Sequence, residues 1–395
     1  MTVIRISLVF LIFCSFTLNA NPLSPASPGT PQPRLNAAEL QVKPLLFVDR
    51  SAITPQLSRQ AMADNTLVHS DNGRFSLYAL GHLEWESFNN RNYGQPPIGH
   101  DDFFNQRLNL YSNIQFNQHW RLFTALKHAD QTGSETNVAP IEQDELDLHQ
   151  AVIEYRTGFE NNSQVLFRLG RQELHYGAGR LISLREGPNV RNDYDGVLLR
   201  FTTAQVNTDL LAFYDVTEDP YSFDNKTNKD ASLVGIYSTL QLKLKQFIDI
   251  YYLNDREDEQ PYLQGLFDEH RHTVGARWWI PPQPGWSGDL EAGWQWGQAE
   301  ALSPDPIPVQ ELDINAWFVS GSLIYHWQQP VWSPQLKLRF GYSSGDRDQT
   351  DGRLNTFRAP DPPGRYFGDT TPFGPGNLTG SSIALNVSPI PKLQV

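Results

Sequence analysis

Six arginines, Arg168, Arg171, Arg180, Arg185, Arg191 and Arg200, fall within 33 residues, interleaved with Glu173, Glu186, Asp193 and Asp195. A guanidinium stays charged at any physiological pH, and its planar fork grips a carboxylate with two parallel bonds. Two uses follow from the spacing. Lining a water-filled passage, the arginines would offer successive shallow sites to a polyanion, each strong enough to admit it and divided enough to release it. Alternatively they pair with the nearby carboxylates and hold an inward-folded loop. Leu181-Ile182, in the middle of the run, is too apolar to stand free in water. The two uses are compatible.

No other grouping reads as catalytic, so no catalytic residue, cofactor or metal is expected. Gly170 to Gly179 lacks the Lys-Ser/Thr ending of a phosphate loop, and no Gly-x-Ser-x-Gly elbow occurs. Carboxylates are abundant, but none pair as general acid and base. His270 and His272 share a strand face, yet zinc would need further ligands at about 2.0–2.1 Å. An interfacial or loop-base position suits them better. Asp255, Glu257, Asp258 and Glu259 read as a solvated acidic loop rather than a divalent-cation site.

The elements that must position the arginines follow a rhythm. Leu336, Leu338, Phe340 and Tyr342 alternate with Lys337, Arg339 and Gly341, placing apolar and polar residues on opposite strand faces. Strands of this kind are expected near 74–87, 103–116, 119–128, 147–157, 163–172, 195–203, 207–215, 231–241, 246–253, 270–280, 287–297, 313–327, 333–343 and 378–388. Short links, such as Asn117-Gln118 and Ala204-Gln205-Val206, alternate with long ones: 89–102, 129–146, 173–194, 216–230, 254–269 and 344–377. A soluble meander has no reason to lengthen every second connection, whereas an outer-membrane barrel has short periplasmic turns and long external loops. The fold class is therefore all-β, an antiparallel transmembrane β-barrel. Trp85, Trp120, Trp278, Trp279, Trp327 and Trp332 lie near strand ends, where aromatic girdles would sit. The mean hydropathy of −0.46 does not oppose this, because lumen-facing residues dilute the apolar signal. Alternation alone turns His82, Glu84, Glu86, Arg107, Asn109, Arg121, Lys127, Glu154, Arg168, Arg200, Arg271, Arg277, Lys337 and Arg339 toward the lumen.

Outside the strands, residues 1–20 read as a secretory signal peptide. Arg5 precedes an apolar run, Ile6 to Leu18, that is short for a membrane helix, and Ala20 suits cleavage. Cys14, the single cysteine, lies within it, so no disulfide framework follows. Residues 21–73 form a Pro-rich linker and N-terminal arm, and 74–395 the barrel domain. Net charge is −13, which excludes a generally basic nucleic-acid surface. Near the end, Pro389-Ile390-Pro391 signals a turn, and Lys392-Leu393-Gln394-Val395 begins another alternation.

The segment Gly170-Arg171-Gln172-Glu173-Leu174-His175-Tyr176-Gly177, then Arg180-Leu181, then Arg191 with Asp195-Gly196, resembles the central motif of the alginate-export family of outer-membrane barrels. Leu83-Glu84-Trp85-Glu86, Gln106-Arg107, Asp147-Leu148-His149-Gln150-Ala151, Tyr366-Phe367-Gly368 and Gly376-Asn377-Leu378 extend the likeness over about 74–395. Asn192-Asp193-Tyr194 departs from the family's Ser or Phe near the Asp-Gly pair. The resemblance implies an 18-stranded barrel in the outer membrane of a Gram-negative bacterium, passively exporting an anionic, alginate-like polysaccharide. It carries Arg107, Arg171, Arg180, Arg185 and Arg191 over as polymer-binding residues, to which position adds Lys127, Arg168 and Arg200. Gly170, Gln172, Glu173, Tyr176, Gly177, Asp195 and Gly196 become the structural motif. Implied partners are the polysaccharide, outer-membrane lipid and lipopolysaccharide, the barrel-assembly machinery and periplasmic export components, with no nucleic acid. Fourteen readable strands against 18 imply a barrel incomplete at its C-terminus. An anion-selective porin for small solutes and a secreted all-β carbohydrate-binding protein remain alternatives.

Overall fold

A computed structural model describes residues 2–10, 68–69, 74–89, 99–134, 138–159, 163–185, 188–243, 245–262, 265–302, 311–327, 332–362 and 374–388. Ala20, Cys14, Tyr366-Phe367-Gly368 and the terminal Pro389 to Val395 lie outside these residues. The elements are β1 (Thr2–Phe10), β2 (Val68–His69), β3 (Phe75–Asn89), β4 (His100–Gln115), β5 (Trp120–Thr132), β6 (Asp144–Gly158), β7 (Gln164–Gln172), β8 (Tyr194–Thr202) and β9 (Val206–Thr217). They continue with β10 (Lys226–Lys243), β11 (Gln246–Tyr262), β12 (Gly265–Ile280), β13 (Gly285–Ala301), β14 (Glu311–His326), β15 (Gln335–Ser343), β16 (Arg353–Leu354) and β17 (Thr379–Asn386). A 3-10 turn, Pro140–Glu142, precedes β6. No helix among the described residues is long and apolar enough to cross a membrane, which says nothing of strands.

All strands join one sheet. β3 to β15 pair in chain order, each antiparallel to the next, and β17 continues from β15. These are the fourteen strands that alternation marks. β16 adds a short parallel pair on β14. At the opposite margin, β1 runs along Gly81 to Asn89 of β3 and β2 along Ser76-Leu77. Among the described residues no ladder joins β17 to β3. Thr2–Phe10 thus occupies the sheet margin beside β3.

Burial is inverted relative to a soluble sandwich. In β13, Ser287, Glu291 and Gln295 are buried while Trp286, Leu290, Ala292 and Trp294 are exposed. In β4, Asn105, Arg107 and Asn109 are buried while Phe104, Leu108 and Leu110 are exposed. A row of exposed large apolar side chains around a charged interior calls for an apolar solvent outside. Aromatic rings bound that row at two levels. At the short-turn end Trp286 meets Tyr325, with ring centroids 4.8 Å apart. At the other level Tyr252, His272, Trp296 and Trp294 stack in succession, 6.0, 5.3 and 4.9 Å apart. From Trp286 to Trp294, eight residues at about 3.3 Å each span ~26 Å, the height of the apolar band of an outer-membrane barrel. His272 is thereby an interfacial ring.

Three expectations need correction. Residues 254–269 are not a loop: β11 and β12 run on to Tyr262 and from Gly265, leaving 263–264 between them. Above the aromatic level the outer face turns polar, with Asn254, Arg256, His270 and Asp268, so the alternation that marks a lipid-facing strand vanishes although the ladder continues. Asp255 accordingly points inward and is buried rather than solvated. Trp279 is not a girdle residue. It has the inward parity of Arg277, and its indole N–H donates to Asp249 at 3.0 Å.

The band makes a direct prediction. Leu290, midway up the lipid-facing row, should not tolerate charge: Leu290→Arg is expected to cost about 2–4 kcal/mol, against ~0–1 kcal/mol for Gln298→Arg above the band. Urea titration in lipid vesicles measures both, and equal costs would remove the band.

Candidate functional site

Two loops enter the concave side of the sheet. The first follows β7 and spans 173–193; the second follows β15 and includes 344–362. They meet in a parallel bridge between Ile182 and Asp361. The Ser183 N–H donates to the Asp361 carbonyl at 2.9 Å, and the Asp361 N–H to the Leu181 carbonyl at 2.8 Å. The Asp361 carboxylate accepts from the Asn192 amide at 2.5 Å and from the Tyr194 hydroxyl. Burial pushes this carboxyl up to about 6, against the pull of those two donors.

The apolar residues that made the first loop conspicuous in sequence are buried here. Leu174, Tyr176, Leu181 and Ile182 pack in one cluster with Leu198, Phe213, Leu233, Tyr251, Phe318 and Phe357. The largest apolar cluster therefore fills the concave side, as a plug. The sheet curves around it. Asn189 of the loop donates to carbonyls of Gln106 and Asp130 on β4 and β5, both at 3.1 Å. Arg180 of the same loop reaches Asp289 and Glu291 on β13 at 2.5 and 2.6 Å. Burial alone would lower the Arg180 pKa; the bond and charge of Asp289, with Glu291, more than reverse that and hold it protonated. From the second loop, Arg358 pairs with Asp255 and, at 3.0 Å, with Glu269.

The sequence model of the alginate-export family matches residues 81–395, most of the described sheet and both plug loops. The chain belongs to the alginate-export family. Its members are outer-membrane transport channels rather than enzymes. No curated protein matches the chain.

In this alginate-export protein most of the basic residues singled out by sequence are held by carboxylates. Arg168 forks onto Glu154, at 2.6 and 2.9 Å, and Arg200 onto Asp209, at 2.5 and 2.6 Å. Lys127 pairs with Asp144 at 3.3 Å and with Glu218. Arg191 donates to Glu173 at 3.1 Å, and Glu173 also meets His149 at 2.8 Å. Arg107 donates to the Asn189 carbonyl at 2.8 Å, pinning the plug to β4. Arg185 lines a cavity beside the plug. Arg171 is the exception: it shares parity with exposed Phe167 and Leu169, so it faces outward, forked onto Asp195 at 2.9 Å twice. Arg171 came to the polymer-binding set through the motif's letters, which carry no parity; strand counting from Phe167 supplies it.

The structural motif residues shape the loop's departure. Gly170 and Gly196 oppose each other across β7 and β8. A side chain on either would strike a neighbouring carbonyl oxygen, that of Ala151 at 2.0 Å or Ala212 at 2.2 Å. Gln172 is buried and accepts from Arg168 at 3.4 Å. Tyr176 donates to Asp209 at 2.9 Å, which joins the plug to the Arg200 pair. Gly177 takes φ +58° beside the Tyr237 hydroxyl.

Sequence reasoning missed Asp209, Asp289, Glu291, Arg358 and Asp361. Asp209 could have been found: it lies directly opposite Arg200 in the β8–β9 hairpin, as Glu154 lies opposite Arg168. Asp289, Glu291 and Asp361 meet the plug only through the closing curvature, which no local pattern encodes.

Proposed function

We propose that the chain conducts an anionic, uronate-rich polysaccharide passively across the outer membrane of a Gram-negative bacterium, with the plug as the closed position of the path. The observation that carries this reading is the ionic interior: guanidinium–carboxylate pairs distributed from β5 to β13 inside an apolar outer band. A polymer carboxylate has the same geometry as Glu154, Asp209 or Asp289 and competes with each for its arginine. Exchange of one carboxylate for another costs little net energy, so a polyanion can be passed from fork to fork without a deep trap. Catalysis is not part of this reading, because the family to which the chain belongs is one of transport channels.

The test is release from liposomes carrying the reconstituted chain. Entrapped polyuronate should escape faster than neutral dextran of the same size, and the polymer recovered outside should have its original length. Equal escape of both polymers would favour a small-solute porin, and shortened chains carrying unsaturated ends would establish a lyase.

A further inference from the structure

Below the plug, at the short-turn end of the sheet, lies a cavity of about 620 Å3. Its walls are the first plug loop, the inner faces of β10 to β15 and the Pro281-Pro282 turn. In a chain of net charge −13 this cavity is lined by five cations, Arg180, Arg185, Arg277, Lys337 and Arg339, and two carboxylates, Asp249 and Asp289. Both carboxylates are already engaged. Asp289 accepts from Arg180 at 2.5 Å and Arg277 at 2.9 Å, and Asp249 from Arg277 at 3.3 Å. Lys337 Nζ and the Arg185 guanidinium make no hydrogen bond or ion pair with a described residue. The Ser287 hydroxyl is buried at the same wall without a partner. A buried hydroxyl left unpaired is costly, and its usual explanation is a group that completes it.

The remaining wall is apolar. Trp279 stands under Arg277, whose guanidinium is 5.2 Å from its ring centroid, and stacks on Phe247 at 4.4 Å. Ile280, Pro281 and Pro282 continue that surface. Surplus cations, an unmet hydroxyl and a flat apolar wall in one pocket of ligand size match a ligand bearing a carboxylate, ring hydroxyls and a C–H face. We propose that this cavity is a docking site for a short uronate segment at the periplasmic mouth, with the carboxylate on Lys337 and Arg185, a ring hydroxyl on Ser287 and the sugar face on the Trp279 and proline wall. A bare inorganic anion would use the cations and leave the rest unmet. The proposal rests on the channel reading for its polymer and on the cavity for its place.

Calorimetry on the full chain in detergent tests it, with a 1,4-linked uronate trisaccharide, maltotriose and sulfate as probes. The uronate should bind at least tenfold more tightly than either other probe. Lys337→Gln and Arg185→Gln should each weaken it at least tenfold, and Lys337→Arg should restore most of the loss. Ser287→Ala should weaken uronate and leave sulfate unchanged. On the unmodified chain, a carbodiimide-activated uronate trisaccharide should form its amide on Lys337, and excess free trisaccharide should protect that lysine. No uronate binding, sulfate bound as tightly as uronate, or cross-links confined to other lysines would overturn the site. Polymer release from liposomes, run in parallel, separates the two readings. Release with binding indifferent to Lys337 and Arg185 rejects the site alone, and binding at Lys337 without release keeps the site and rejects the channel.

Discussion

Arg180→Glu should unseat the plug and raise the single-channel conductance in planar bilayers severalfold. Arg180 is the loop's tie to the far wall, and its side chain and those of Asp289 and Glu291 are 12%, 6% and 4% exposed. Reversal would place a third carboxylate against two that are already shielded from water. Removing one partner of a buried ion pair typically costs about 3–5 kcal/mol. Each 1.4 kcal/mol is tenfold, so the docked form should lose a factor of roughly 100–4,000 relative to the released one. The sheet itself should survive, because its ladder does not pass through this loop. Gel migration should remain heat-sensitive while trypsin gains access to Arg185 and Arg191. The same change should lower anion preference, read as a shift in reversal potential under a salt gradient. Arg180→Lys keeps the charge without the fork and should fall between. Unchanged conductance together with unchanged protease resistance would mean that Arg180 does not hold the plug.

Plug docking should also weaken as the pH rises from about 4 to about 6. Asp361 sits where the two loops join, and burial raises its carboxyl from an ordinary 3.8 to about 6 in the docked form. A raised acid is a group that the docked form prefers protonated. Its contribution is therefore complete below 3.8 and disappears as pH passes through about 6. Two units correspond to about 3 kcal/mol. The charged neighbours are Arg185, which favours the anion, and Asp255, which opposes it, while Tyr194 and Asn192 donate to it. Asp361→Asn keeps the shape and cannot titrate, so it should leave docking pH-independent over this range. Conductance recorded from pH 4 to 7 decides the matter: an identical pH slope in Asp361→Asn would assign the effect to another group.

Much of this architecture is written locally. Period-two alternation locates each strand of the β3 to β15 ladder and β17, because every turn of the chain through lipid must present apolar side chains outward. The signal fails where lipid stops. Asn254 to Gln260 lies above the aromatic level, both faces are polar, and a strand there is indistinguishable from a solvated loop. Trp279 and Trp278 are adjacent and equally aromatic, yet one faces the cavity and the other the bilayer; only register separates them. The candidate site divides similarly. Arginine content marked the plug loop, and Leu181-Ile182 marked it as inward. The partners of those arginines come from strands that curvature brings opposite, so Asp289 and Asp361 carried no local mark. Cross-strand pairs such as Arg200 with Asp209 fall between, being readable once a hairpin's turn is fixed.

The bridge between Ile182 and Asp361 has a consequence for the order of assembly. The contacts that seat the first loop join residues far apart in sequence: 109 positions separate Arg180 from Asp289, and 169 separate Asn192 from Asp361. Hairpins of neighbouring strands close quickly, whereas contacts of such span wait for most of the chain. Leu174, Leu181 and Ile182 must therefore remain uncovered until β13 and β15 are in place. During that interval the segment is an adhesive patch on an unfinished sheet, prone to capture by other chains. Hydrogen exchange pulsed during refolding should find the amides of Ser183 and Asp361 protected last, well after the ladders on either side, so the loops packed inside the sheet are also the last part of the molecule to acquire their shape.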